Sequence, residues 1–250
     1  MQSANAEEFT NFLGMRFLSI PGGTVEMGAD EETSDARHDA SAQHAVEIRP
    51  FQIMPTEVTL AQYKRYIIES SRIQILTDEF ILANRYDDDV PVVLVSWNDA
   101  SYFLHWLNKN KPVSDQGTYS LPTEAEWEYA CRAGGDDTYC GGNTANEAGW
   151  NSSQNVTHQQ PVAQKVANAF GLFDMSGNVY EWVMDCYHTG RANTPPDGSG
   201  QGFGCHPSKR IVRGGAWNTG PGSSRASHRL TMNITSRSAN IGFRVVRRLP

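Results

Sequence analysis

A chain of 250 residues with a formal charge of −7 and no stripe dense in Lys or Arg does not suit a nucleic-acid partner, because affinity for a phosphate backbone is built from clustered cations. Hydrophobic residues at 39%, with 6 Trp, 9 Tyr and 10 Phe, support a sizeable core, while 22 Gly and 12 Pro call for many turns and little long regular structure. No apolar run approaches the roughly 20 residues needed to cross a bilayer, and Met1 to Glu8 is too polar for a signal-peptide core.

In chain order, Phe17 to Ile20, Thr24 to Met27 and Ala45 to Ile48 have strand character and are separated by Pro21-Gly22-Gly23 and a charged loop with the acidic run Asp30 to Asp39. They predict an N-terminal sheet with one long excursion. Thr59 is placed to cap a helix over Leu60 to Ser70, in which Tyr63, Tyr66 and Ile67 recur at helical spacing. A second helix is expected from near Ser96 to about Asn108, capped by Ser96 or Asn98, with Ala100, Phe103, Leu104 and Leu107 on one face. In LPTEAEWEY, which starts at Leu121, Thr123 and Glu126 form a capping box, and Glu124 and Glu126 place negative charge at the positive end of a third helix. Periodicity is then lost through the polar loop Gly134 to Gln160. A strand and turn follow around Gly171 to Trp182, then short strands at Ile211 to Arg213 and Gly242 to Arg247.

Four cysteines permit three pairings, and the local couples Cys131 with Cys140 and Cys186 with Cys205 are preferred. Two disulfides would indicate an oxidising compartment. Neither a CxxC motif nor a close Cys/His couple points to zinc. Arg210, Arg213, Arg225, Arg229, Arg237, Arg244, Arg247 and Arg248 concentrate positive charge in the C-terminal third, enough for a local cationic pocket. The segment FDMSGNVYEW, from Phe173, suits a hard-cation loop. Asp174 and Glu181 supply charge, Gly177 permits a tight turn, and the carbonyls of Gly177 and Val179 add oxygens of the kind Ca²⁺ prefers. In the competing reading, both carboxylates satisfy buried amides of a turn.

These segments form a longer series of signatures: GMRFLSIPGGTVEMG from Gly14, EVT from Glu57, VSWNDA from Val95, LPTEAEWEYACRAGG from Leu121, NAFGLFDMSGNVYEWV from Asn168, RGGAW from Arg213 and NIGFRVV from Asn240. Together they resemble the formylglycine-generating enzyme, or sulfatase-modifying factor, family along nearly the whole chain. The resemblance implies a single domain over residues 1–250 with a loop-rich α+β fold related to C-type lectins. It also implies structural calcium at Asp174, Gly177, Val179 and Glu181. Asn151 and Ser152 match part of a second calcium site, although the downstream spacing departs from the family.

In that family a pair of cysteines follows an Arg-Gly-Gly-Ser segment and carries the oxidation. Here the Ser position is Ala216, the first cysteine position is Thr219, and the second falls in a shortened stretch around Pro221 to Ser223; no Cys occurs after Cys205. The family's thiolates bind copper(I) because a soft cation takes soft donors, and Thr and Ser hydroxyls do not substitute. Neither copper nor formylglycine generation is therefore expected. Thr219, Arg225 and His228 are the candidate catalytic residues, with His228 as general acid or base. Trp217, Arg225 and Arg229 would line a groove for a carboxylate-bearing peptide, because guanidinium forks match carboxylates. The competing reading pairs both arginines with acidic residues and leaves His228 solvated. The histidines form no HxxxH or HExxH pattern for an iron centre, and no GxSxG elbow is present for hydrolase chemistry.

By resemblance, the chain would be a cysteine-independent member acting in oxidative maturation of a peptide-like substrate, similar to the single-domain member of pyoverdine siderophore maturation. It would be periplasmic or secreted, with its leader outside this sequence. The bias to 16 Arg over 5 Lys fits a GC-rich bacterial source. The alternative is a non-catalytic ligand-binding display protein of the diversity-generating-retroelement variable type, with Asn218 to Asn240 as its binding face.

Overall fold

The computed structural model describes residues 8–28, 43–188, 195–200 and 204–250. The acidic run Asp30 to Asp39 lies outside them, as does the opening octet apart from Glu8. The chain begins with strands β1 (Glu8–Thr10), β2 (Arg16–Ile20), β3 (Gly23–Met27), β4 (His44–Ile48) and β5 (Phe51–Ile53). Helices α1 (Leu60–Glu69), α2 (Asp78–Ala83) and α3 (Trp97–Asn110) lead to β6 (Thr118–Ser120), α4 (Glu124–Arg132) and the single turn α5 (Ala145–Ala148). The C-terminal half holds β7 (Tyr180–Tyr187), β8 (His206–Arg213), β9 (Arg229–Asn233), β10 (Ile241–Phe243) and β11 (Val246–Arg248).

Capping chemistry sets the helix starts. Thr59, Ser96 and Thr123 each accept a hydrogen bond from the amide three residues on, while Gln62, Asp99 and Glu126 reach back to the cap amide. Ser96, rather than Asn98, is thus the cap of α3. Helix α4 ends where Ala133 (φ 48°) and Gly134 (φ 82°) enter left-handed backbone.

The strands form an α+β arrangement. One sheet runs β1-β2-β5-β11-β6, a second runs β10-β7-β8-β9 with β10 parallel to β7, and β3 pairs only with β4 among the described residues. The expected N-terminal sheet is therefore divided. Pro21 cannot donate to a ladder, and a Cβ on Gly22 would lie 2.8 Å from the Ile48 carbonyl, so the chain turns out of one sheet and into the hairpin. Strands β5 and β6, at three residues each, are too short for alternation to mark them. They are held by β11, whose Val246 pairs with both Ile53 and Ser120.

Two apolar clusters fill the interior. One packs α1 and α3 against the sheets through Tyr63, Tyr66, Phe103, Trp182 and Phe243, with the Tyr66 and Phe103 rings edge-on at 5.1 Å. The other packs α4 over the sheets through Trp127, Val46, Ile53 and Val183. Both preferred cysteine couples form disulfides, Cys131 with Cys140 and Cys186 with Cys205. Among the described residues no helix is long and apolar enough to cross a membrane.

Candidate functional site

Helix α4 positions the buried charges. Glu124 meets Arg213 at 3.0 Å and Arg229 at 2.9 Å, and Glu128 meets Arg213 at 2.6 Å and Arg132 at 3.0 Å. Arg213 is fully buried, donates also to the Ala226 carbonyl at 2.6 Å, and lies over the Trp127 ring at 5.0 Å. Glu126, besides closing the capping box, pairs with Arg248. The expected cationic pocket is thus not what these arginines build. Arg213, Arg229, Arg244 and Arg247 each meet a carboxylate, because an unpaired buried guanidinium would be costly, and the more exposed Arg237 and Arg248 are paired as well.

A second buried cluster surrounds the predicted cation loop. Glu181, on β7, is forked by Arg244 at 2.8–3.1 Å and accepts from Trp127 Nε1 at 2.8 Å, so both of its oxygens are engaged. Arg244 also donates to the carbonyls of Met54 and Phe173, which draws the segment before Glu57 toward Asp174. Asp174 has φ 59°, uncommon for a residue with a side chain, and its Oδ2 accepts from Ala163 N at 2.6 Å. Its Oδ1 and both carboxylate oxygens of Glu57 are buried without a hydrogen-bond partner. Burial, reinforced by Asp174 and Glu181, holds the Glu57 carboxyl well above the usual range, and burial pushes Asp174 up to about 6.

These donors fit a hard cation in part. Three orphaned carboxylate oxygens are what such an ion would satisfy, but they belong to Glu57 and Asp174, whereas the carboxylate of Glu181 is already neutralised by Arg244. Gly177 has φ 133°, and a Cβ there would strike the Trp150 carbonyl, so the loop requires glycine. The next residue, Asn178, donates from its amide to that carbonyl at 2.9 Å. Asn151, also buried, caps the short 3₁₀ turn Ser152–Gln154 by accepting from Ser153 N at 3.1 Å, and Ser152 donates its amide to the Thr219 carbonyl at 3.0 Å.

The Arg-Gly-Gly segment leads from β8 into the loop expected to hold the chemistry. A Cβ on Gly215 would lie 2.5 Å from Ser224 Oγ and 2.8 Å from the Ser223 carbonyl, so this turn closes only on glycine. Thr219 Oγ1 accepts from Ala216 N at 2.9 Å and donates to the Ala216 carbonyl at 3.0 Å. Burial pushes the Tyr180 phenol up, and hydrogen bonds with the hydroxyls of Ser223 and Thr219 oppose that. Hydroxyls of Tyr180, Thr219 and Ser223 therefore gather where the family pattern calls for thiols, and all four cysteines are bound elsewhere.

Trp217 is half-buried, its amide bonded to the Asn178 carbonyl at 2.8 Å. Arg225 and His228 are half-buried on the same loop, joined by His228 N donating to the Arg225 carbonyl at 3.0 Å. Arg229 is turned inward onto Glu124, as the competing reading has it, and its Nε and Nη1 have no hydrogen-bond partner. A cavity of about 340 Å³ lined by Pro50, Thr123, Met184, Asp197 and Arg248 includes none of the predicted site residues. Glu57, Tyr180 and Arg244 were missed as site residues by sequence reasoning. Their only sequence signal is their place inside the EVT, YEW and GFR signatures.

The chain belongs to the sulfatase-modifying factor enzyme 1-like domain family, which matches residues 2–249. It is 26% identical to the formylglycine-generating enzyme of Streptomyces coelicolor, over 91% of this chain and 87% of that protein. It is also 29% identical to the serine/threonine-protein kinase pkn1 of Chlamydia caviae, matching over 90% of its own length but spanning only 37% of that protein. Among solved structures, PvdO from Pseudomonas aeruginosa is similar at a TM-score of 0.83 and 28% identity, covering 99% of this chain and 100% of that one.

Proposed function

We propose that this protein is an exported, cysteine-independent family member that binds a peptide-like substrate and acts in its oxidative maturation, with a pyoverdine-type siderophore precursor as the substrate class. The observation that carries the reading is the end-to-end likeness to PvdO, joined here to a loop in which hydroxyls replace the thiol pair. The disulfides are consistent with export to an oxidising compartment. Trp217 walls the groove and Arg225 takes a substrate carboxylate. His228 accepts the proton that leaves the substrate, and Thr219 orients the reacting group. Two electrons and two protons pass from the substrate to dioxygen, which leaves as hydrogen peroxide.

In this reading calcium is structural. Asp174 and Glu57 are its carboxylate donors, the Gly177 and Val179 carbonyls add oxygens, and Glu181 stays paired with Arg244 beside them. A second cation at Asn151 and Ser152 would have to compete with the cap at Ser153.

The test is to incubate the protein with an immature siderophore peptide in oxygenated buffer, following chromophore absorbance and peroxide. Turnover that falls at least tenfold in Arg225→Ala and His228→Ala supports the proposal. Neither binding nor turnover removes it, and binding without turnover would assign the face from Asn218 to Asn240 to recognition alone.

A further inference from the structure

The Cys186–Cys205 disulfide lies at the distorted end of a strand. The β7–β8 register shifts on both sides of Cys186, a bulge that turns the strand end and re-aims its side chains. Two residues on, His188 packs against Gly204, where an added Cβ would lie 3.6 Å from the imidazole Cε1. The ligand atoms of Cys186, His188 and Cys205 all lie within 4.8 Å of one another, the only such group of three among the described residues. Cys186 and His188 stand only two residues apart, a close Cys/His couple that corrects the expectation of none from the sequence, and the disulfide brings in Cys205 from a sequence separation of 19. Cys186 is buried, whereas His188 and Cys205 are half-buried and give access from solvent. Cys131 and Cys140 are both buried and gather no such set.

We propose that reductive opening of the Cys186–Cys205 bond converts Cys186, His188 and Cys205 into a binding site for one zinc-class cation. A dithiol reductant transfers two electrons and two protons, becoming a disulfide while both cysteines become thiols. The metal then displaces their protons and binds the thiolates. Zinc bonds of about 2.3 Å to sulfur and about 2.0 Å to imidazole nitrogen set ligand atoms roughly 3.5–3.8 Å apart around a tetrahedron. The sulfurs need only separate to that spacing, and their Cα atoms are already 5.8 Å apart. Three protein ligands leave the fourth position to water or another small donor. The hard oxygen donors around Asp174 and the soft set here select different metals.

Cobalt(II) serves as the probe, because thiolate ligation gives a sulfur-to-cobalt charge-transfer band that oxygen ligands do not. The full chain is reduced under anaerobic conditions, freed of reductant and titrated, with alkylation mapping to verify that Cys186 and Cys205 are open. One equivalent of cobalt with the charge-transfer band is expected in reduced protein and none in oxidised protein. Cys205→Ser should abolish the band, and His188→Ala should weaken binding at least tenfold. Cys131→Ala/Cys140→Ala, or wild type reduced only at Cys186–Cys205 if that variant does not fold, should retain it. Absence of the band in protein open at Cys186–Cys205, or unchanged affinity in His188→Ala, would overturn the proposal.

Discussion

The two buried charge clusters use the same residue types and reach different balances. Around α4, Glu124 and Glu128 are met by Arg132, Arg213 and Arg229, so the protein supplies the cations its buried carboxylates require. Around Arg244, the carboxylates of Glu57, Asp174 and Glu181 share one guanidinium, and three of their oxygens have no partner. The first cluster is closed by the chain itself, and the second is suited to an external cation. Burial thus supports opposite roles, and the number of partners separates a brace from a site.

The largest expected effect comes from opening the closed cluster. Arg213→Met leaves Glu124 with Arg229 alone and Glu128 with Arg132 alone, and removing one partner from a buried charge network costs about 3–5 kcal/mol. For a chain of this size that corresponds to a fall in melting temperature on the order of 10 °C. Arg213→Lys should recover only part of the loss, because an ammonium cannot reproduce the fork. A melting curve unchanged in Arg213→Met would break the contrast at once.

Glu57→Gln probes the open cluster and should act in the other direction. Without metal it removes a buried carboxylate that has no partner, so stability should hold or rise by about 1–2 kcal/mol. With calcium it should lose the ligand-linked stabilisation, which is about 2.7 kcal/mol at a hundred times the dissociation constant. Chelator should lower the melting temperature of wild type and leave this variant unmoved. Equal destabilisation of Glu57→Gln with and without calcium would make Glu57 a structural residue and remove the distinction between the clusters.

Asp174 sharpens the same comparison through pH. Its carboxyl titrates at about 6 in the fold, above the ordinary 3.8, so the unfolded chain gives up this proton at lower pH. As pH rises through that window the folded state binds more protons than the unfolded, and metal-free stability falls by up to about 1.4 kcal/mol per unit from this group. Saturating calcium, by holding the carboxylate ionised, should flatten the slope from this group. The difference between wild type and Asp174→Asn, measured by thermal unfolding between pH 4 and 7, isolates this group from the other carboxylates. An identical slope in both proteins would sink the assignment.

The sequence made the braces of this fold easier to read than the chemistry they enclose. The Thr123–Glu126 capping box was legible because the interaction spans three residues and its geometry is local, whereas α1 showed only its Thr59 cap and α3 left Ser96 and Asn98 as alternatives. The disulfides were legible as nearest couples. Glu57 was not, because its environment comes from Asp174, Glu181 and Arg244, which only the tertiary fold brings to it. The same holds for Glu124, whose position near the start of α4 explains a helix-end charge but not its partners on β8 and β9. Strand β9 was hidden because the segment was interpreted as an active-site loop, and its pairing depends on β8. Tyr180 had a strand signal, but its hydroxyl partners come from the loop after Gly215.

The smallest effect belongs to an ion pair of the same chemistry left in water. Arg237 forks the Asp99 carboxylate at 2.8 and 2.9 Å, a geometry as good as that of Arg244 on Glu181, yet its side chain is 52% exposed. Water solvates both partners in the unfolded chain and still reaches the arginine in the fold, so little changes on folding. Arg237→Ala should cost no more than about 0.2–1 kcal/mol, and the loss should shrink as salt is raised. Asp99 keeps its bond to the Ser96 amide at 2.8 Å, so the start of α3 should survive the substitution. A loss as large as that of Arg213→Met, insensitive to salt, would mean that hydrogen-bond geometry rather than desolvation governs these pairs. The three unpartnered oxygens at Glu57 and Asp174 would then no longer distinguish a cation site from a brace.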